Sequence, residues 1–72
     1  MPEFNTGSPT VRHIQSYIRE NSIVEIQMST GEIFSGNILW QDGECICLIL
    51  KTQQKKVLLW RQSLVYIRSE LE

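Results

Sequence analysis

The sequence has few residues that could hold a metal ion or close a disulfide. Its 72 residues include two cysteines and one histidine. Cys45 and Cys47 stand two positions apart, so on a strand their side chains would splay along one face, too far for an unstrained bridge. Together with His13 they still fall short of the four ligands of a structural zinc site. We therefore predict reduced thiols, an intracellular protein and no metal or other cofactor.

Long apolar stretches and an excess of basic residues are also missing. No segment approaches the roughly 20 apolar residues of a membrane span. The amino terminus, with Glu3 and Asn5, lacks the basic-then-apolar layout of a secretory signal, which predicts a soluble, cytoplasmic protein. Seven basic residues against eight acidic ones give a net charge of -1. A protein that grips nucleic acid through its phosphates usually carries a clear basic excess, so RNA binding does not follow from composition.

The length predicts one small domain. A core built from 72 residues contributes only a few kcal/mol of net stability, so a further source of stability is expected. Because neither a disulfide nor a metal is supported, association into an oligomer remains. A lone histidine in so short a chain leaves no Ser-His-Asp, Cys-His or paired-acid constellation, and we predict that the protein is not an enzyme.

The pattern near the amino terminus predicts one amphipathic helix. Ser8 can cap the first free amides, and Pro9 suits the first helical position. Val11 and Ile14 then begin a series of apolar residues three or four positions apart, with polar residues between them. The helix should end near Asn21.

After the helix the apolar period changes to two, which is typical of half-buried strands. Five strands are predicted, at residues 23–29, 33–41, 44–51, 56–61 and 64–68. Gly31 in the first turn can adopt positive φ, and Asp42-Gly43 suits the second turn. Gly36, in the middle of the second strand, predicts a bend or bulge. The continuous apolar run in the third strand predicts burial on both faces.

Strands this close together, with short turns, predict a mainly β fold. A helix is followed by a strongly bent five-stranded antiparallel sheet, or partly open barrel. The domain is predicted at residues 10–68, after a flexible arm at 1–9 and before a short carboxyl-terminal end at 69–72. The open edges of such a sheet need partners.

Three segments carry a resemblance to a known family. Residues 24–38, VEIQMSTGEIFSGNI, are similar to the first Sm motif: an apolar strand, a turn glycine, an apolar pair and a bend glycine. LWQD at 39–42 and LWRQSLVYI at 59–67 resemble the cyanobacterial branch of the Hfq family. The resemblance implies an Sm-like fold and a homohexameric ring, in which the fourth strand of each subunit pairs with the fifth strand of the next.

The resemblance also implies where RNA would bind on such a ring. RNA-chaperone members grip uridine-rich ends at the central pore with a Lys-His pair, and the matching residues here are Arg61 and Gln62. Gln41 and Asp42 are predicted beside them, in a weak site for RNA or other anions. The family's stacking aromatic on that face aligns near Glu44, an acid that cannot stack and repels phosphate.

The two other RNA-binding surfaces of chaperone members are also reduced here. Gln27 stands where a tyrosine stacks adenine bases on the opposite face, which removes that π platform. The arginine patch on the outer rim is reduced to Arg19.

The function that the resemblance implies is a ring that works as a protein-docking and regulatory platform with weak RNA binding. Members of the cyanobacterial branch are associated with type IV pilus motility through docking to the pilus-extension motor ATPase. The alternative is an active RNA chaperone for small RNAs and messenger RNAs, which would use Arg61, Gln62 and the basic loop at 51–56. A purely structural ring is a third interpretation.

Other prominent residues have simpler interpretations. Trp40 and Trp60 are expected to pack within the barrel or between subunits, as large aromatic rings usually do. His13, on the polar side of the helix, is expected to be solvated, and so are the lysines of the loop at 51–56.

Overall fold

The computed structural model describes residues 7–70, and their first element is a helix with a cap at each end. Helix α1 spans Pro9–Glu20. The Ser8 hydroxyl accepts a hydrogen bond from the Val11 amide at 3.4 Å, which satisfies one free amide of the first turn. Asn21, at φ 55°, ends the helix, so both predicted ends are confirmed. No helix within residues 7–70 is long and apolar enough to cross a membrane.

Five strands follow the helix within the described residues. They are β1 (Ile23–Met28), β2 (Ile33–Gln41), β3 (Cys45–Leu50), β4 (Lys56–Trp60) and β5 (Leu64–Ser69). Every pairing is antiparallel, in the order β4-β3-β2-β1-β5. The sheet is therefore not closed, and β4 and β5 are its two edges. The predicted fold class, a helix ahead of a partly open five-stranded sheet, is confirmed.

The five strands lie within one residue of their predicted bounds at every end, and β2 matches at both ends. The differences at the ends of β4 and β5 have a structural cause. Arg61, expected at the end of the fourth strand, instead opens a short 3-10 helix, Arg61–Ser63. The Leu64 amide donates to the Arg61 carbonyl across this turn, which carries the chain from one edge of the sheet to the other. β5 runs one residue further than predicted because Ser69 still pairs with Val24 of β1.

The core lies between the helix and the sheet. Val24, Ile26 and Met28 are buried on alternate positions of β1, as the period of two predicts. Ile14 of α1 packs into the same cluster. β3 is buried on both faces over its first four residues, as predicted, and both of its cysteines are free. Burial raises the pKa of the Cys45 thiol, which favours the unreactive protonated form.

The structure gives Gly36 a steric reason to be glycine. The predicted bulge is not at this residue, and the predicted bend stays a prediction. Positive φ occurs at Gly31, at 94°, as expected, but not at Gly36. The register shift in the β2–β3 pair falls further along, between Ile38 and Trp40. A Cβ added at Gly36 would overlap the carbonyl oxygen of Ile49 and lie 2.8 Å from its carbonyl carbon. The backbone of β3 thus passes too close to β2 at this point for any side chain.

Both edge strands carry exposed apolar side chains. Leu58 and Trp60 of β4 are 57% and 51% exposed, and Val65 of β5 is 60% exposed. Trp40, on β2, is 44% exposed. Neither tryptophan is buried within the chain, so the expectation that they pack inside the barrel is wrong. Contact between subunits stays a prediction.

Candidate functional site

Arg61 and Gln41, predicted as neighbours in the anion site, are in direct contact. Nη1 of Arg61 donates to Oε1 of Gln41 at 2.8 Å. Gln41, at the end of β2, is itself fixed by α1, because its Nε2 donates to Oε1 of Gln15 at 2.7 Å and to the Val11 carbonyl at 3.1 Å. A continuous chain of hydrogen bonds therefore runs from the helix to the guanidinium. This arrangement holds Arg61 in one orientation.

Asp42 lies beside them, but its carboxylate closes the turn between β2 and β3. Oδ1 accepts hydrogen bonds from the amides of Glu44 at 2.9 Å and Cys45 at 2.7 Å. These backbone bonds are the main reason that the pKa of Asp42 is lowered, and the charge of Arg61 lowers it further. Asp42 therefore brings negative charge to this corner, with its Oδ1 already engaged by two backbone amides.

Two acidic residues, Asp42 and Glu44, lie close to Arg61 in this corner of the structure. The backbone carbonyl of Glu44 accepts a hydrogen bond from the Arg61 amide at 2.8 Å. Glu44, which is exposed, therefore lies beside the backbone of Arg61. A phosphate approaching Arg61 would meet the carboxylates of Asp42 and Glu44 as well as the guanidinium. Repulsion by these carboxylates would offset part of the attraction by the guanidinium, and a weak site for RNA or other anions stays a prediction.

The other predicted site residues lie apart from this hydrogen-bonded chain. Gln62 is exposed in the 3-10 helix, directly after Arg61. Arg19 is exposed in the last turn of α1. Sequence reasoning missed Gln15, which stands 26 residues before its partner Gln41 and carries no local pattern that would connect them.

The face that contains Gln27 does have an aromatic residue, one strand away from the predicted position. Tyr66 of β5 is the cross-strand partner of Gln27. Its hydroxyl donates to the Glu25 carboxylate, which raises the pKa of Tyr66. Arg68 lies 3.1 Å from the same carboxylate and 5.7 Å from the centre of the tyrosine ring. The phenol is thus already engaged at both its hydroxyl and its ring.

The loop between β3 and β4 is exposed, as predicted for its lysines. Lys51 forms an ion pair with Glu70 at 3.4 Å. His13 is also exposed, with its ring centre 4.8 Å from that of Tyr17. Among residues 7–70, no three His, Cys, Asp or Glu side chains are grouped so that they could hold a metal ion.

The turn closed by Asp42 should make stability depend on pH. Because folding lowers the pKa of Asp42 below its ordinary 3.8, the stabilisation is present above about pH 4 and is lost as pH falls through the folded-state pKa. Asp42→Ala should therefore lower the free energy of unfolding at neutral pH, and this deficit should shrink in acid. Urea denaturation between about pH 2 and pH 7 measures it.

Asp42→Asn is the matched control, since it keeps an acceptor oxygen but cannot titrate. Glu70, whose pKa is lowered chiefly by a hydrogen bond from Ser35, leaves the same background of pH dependence in every variant. If Asp42→Ala lowered the free energy of unfolding by the same amount at every pH, the charge of Asp42 would not be what stabilises this turn.

A capped helix ahead of a five-stranded antiparallel sheet, open at both edges, defines a small protein of the Sm-like fold. A family model described as Hfq related matches residues 8–69. The chain therefore belongs to the Hfq-related family.

Solved structures agree with this assignment. The chain is similar to the crystal structure of an Hfq protein from Anabaena sp., a cyanobacterium, with a TM-score of 0.77 and 31% sequence identity over 86% of this chain and 97% of that chain. It is also similar in fold to a crystal structure of the pleiotropic translational regulator Hfq, with a TM-score of 0.77 and 15% identity over 83% and 97% of the two chains. No curated protein matches the chain.

Proposed function

We propose that this chain is the subunit of a cytoplasmic Hfq-like ring that works as a protein-docking and post-transcriptional regulatory platform and binds RNA weakly. The ring would be a homohexamer in which β4 of each subunit pairs with β5 of the next. The two free sheet edges of the chain support this closure, because pairing satisfies their backbone amides and carbonyls. Similarity to the Anabaena protein supports the cyanobacterial branch, for which the partner would be a pilus-extension motor ATPase.

The observation that carries weak RNA binding is the hydrogen bond between Arg61 and Gln41 at 2.8 Å. A phosphate that approached Arg61 would have to compete with this bond. It would also meet the negative charges of Asp42 and Glu44, and it would find no aromatic side chain at position 44 to stack a base. At this site each subunit offers one guanidinium, that of Arg61, to a phosphate. The hydrogen bond to Gln41 and the nearby negative charges therefore offset part of its attraction.

The opposite face supports the same conclusion. A base that stacked on Tyr66 would have to displace Arg68, which lies 5.7 Å from the ring centre and is held by Glu25 at 3.1 Å. The side chain of Gln27 offers hydrogen bonds but no stacking surface. Adenine-rich RNA should consequently gain little of the roughly 1–3 kcal/mol per base that an open aromatic ring supplies.

Two titrations of the assembled protein test this function. Light scattering first establishes the mass, which should be close to six chain masses at micromolar concentration. Uridine-rich and adenine-rich oligonucleotides are then titrated over a salt series, and we expect weak binding to both. Purified pilus-extension motor ATPase is titrated in parallel, and we expect a saturable complex with the ring.

The outcomes separate the interpretations. Tight RNA binding that weakens steeply with salt would favour the active RNA chaperone. An assembled ring that binds neither RNA nor the ATPase would favour a purely structural ring. A protein that remains monomeric at micromolar concentration would contradict the platform altogether.

A further inference from the structure

We infer that Trp60 of one copy of this chain fills a groove between α1 and β5 of a second copy. The inference rests on the proposed ring and goes beyond it, because it assigns the anchoring contact to one side chain and separates the roles of the two tryptophans. It also completes a cavity that the single chain leaves open to solvent.

The groove lies between the first half of α1 and the edge strand β5. Its volume is about 490 Å³. Ile14, Leu64, Val65 and Ile67 supply its apolar lining, while His13, Tyr17 and Arg61 are among the residues that add polar groups. A groove of mixed lining beside an unpaired strand suits a tryptophan that arrives on a pairing strand, because an indole has a large apolar body and one N–H donor.

The opposite edge of the sheet carries side chains of that kind. Leu58 and Trp60 stand two positions apart in β4, so both point away from the face that buries Leu59. They are 57% and 51% exposed, although both are large and apolar. Aromatic side chains that project like this are frequent anchors of protein interfaces, and tryptophan is the most enriched of them.

The spacing of these residues matches the groove in one register. Val65 and Ile67 of β5 both line the groove, and Val65 is the extra residue at the register shift of the β1–β5 pair. In an antiparallel pairing, the kind found throughout this sheet, Trp60 lies opposite Val65 when Leu58 lies opposite Ile67. The second copy is thus an occupant that supplies both a strand for the free edge of β5 and an indole for the groove.

Trp40 provides the contrast. It is 44% exposed, close to the value for Trp60, but it lies on β2, which β3 separates from the edge strand β4. Pairing of β4 with another copy adds nothing next to β2. Trp40 should therefore stay accessible in the assembled ring, whereas Trp60 should become buried.

Single-tryptophan variants test this directly, because tryptophan fluorescence reports exposure. Trp40→Phe leaves Trp60 as the reporter, and Trp60→Phe leaves Trp40. Emission and acrylamide quenching are measured on both proteins, with the mass of each sample followed by light scattering. We expect Trp60 to be blue-shifted and protected from acrylamide in the assembled protein. Trp40 should remain red-shifted and accessible.

A second pair of variants tests the energetic role. Trp60→Ala should weaken association of the copies at least about 30-fold, the effect of removing an interface hot spot, while Trp40→Ala should leave it nearly unchanged. Val65→Glu, on the groove side, should weaken association similarly, because it places a charge against the incoming indole. Circular dichroism checks that each variant is folded.

The measurements distinguish an error in the role of Trp60 from an error in the proposed ring. A ring of about six chains in which Trp60 is as accessible to acrylamide as Trp40 would overturn the inference and leave the ring intact. Absence of assembly in the unaltered protein would overturn both. Should Trp60→Ala fail to fold, the fluorescence of the Trp40→Phe protein still decides the matter.

Discussion

Replacing Gly36 with valine should leave the chain unable to fold. The first side-chain atom would overlap the carbonyl oxygen of Ile49 and lie 2.8 Å from its carbonyl carbon and 3.1 Å from the Cα of Leu50. These are backbone atoms of the neighbouring strand, so no change of rotamer relieves the overlap. Overpacking costs about 1–3 kcal/mol where side chains can give way, and more where backbone must move. A domain of this size has only about 3–5 kcal/mol to lose.

Gly31→Ala is the control for this prediction. Nothing lies within 4 Å of a Cβ at that position, but φ is 94°, so the cost is conformational strain alone, about 1–3 kcal/mol. Circular dichroism and urea denaturation of the two variants compare the costs. We expect a folded, weakened Gly31→Ala protein and a Gly36→Val protein without a cooperative transition. A Gly36→Val protein as stable as the unaltered chain would show that β2 and β3 are spaced differently.

Gly36 also shows where a sequence pattern stops being informative. A glycine inside a strand of alternating pattern indicates that a side chain does not fit at that position. A bend, a bulge and a close approach of two strands all produce the same pattern in the sequence. The distinction depends on the distance to Ile49, which is 13 residues away in the chain and belongs to another strand. The irregularity in β2 falls instead between Ile38 and Trp40, where no glycine is present.

Local rules predicted the elements of this fold because each depends on residues that are close in sequence. The cap at Ser8 and the left-handed Asn21 bound the helix, and the period of two in β1 sorts buried from exposed side chains. Exposure of the tryptophans could not be predicted in this way. A tryptophan that packs against another subunit and one that packs in the core of its own chain can have similar neighbours in the sequence.

The candidate site was predictable in part for the same reason. Arg61, Gln41 and Asp42 were expected together only through the family resemblance, and the structure places Arg61 against Gln41. The bond from Gln15 to Gln41 joins a helix to a strand and follows from the packing of α1. Likewise Tyr66 is brought beside Gln27 by the pairing of the second edge strand with β1, and no motif links the two residues. Whether these residues bind RNA stays a prediction.

Replacing Glu44 with tyrosine should increase the affinity for uridine-rich RNA. Residue 44 is exposed at the turn between β2 and β3, and its backbone carbonyl accepts a hydrogen bond from the Arg61 amide at 2.8 Å. A tyrosine there would supply a stacking surface beside the guanidinium and would remove one negative charge per subunit. Stacking contributes about 1–3 kcal/mol per base, equivalent to about 5- to 150-fold in affinity.

Glu32→Tyr is the matched control, because it makes the same substitution at an exposed acid in the turn at the other end of β2. It changes net charge equally, so any gain that comes only from weaker long-range repulsion should appear in both variants. Titration with a uridine-rich hexamer at several salt concentrations measures the difference. Equal gains would mean that net charge governs binding and that residue 44 does not adjoin the site. A gain confined to Glu44→Tyr would place the bound base beside Arg61, because stacking acts only at contact distance whereas charge acts across the ring.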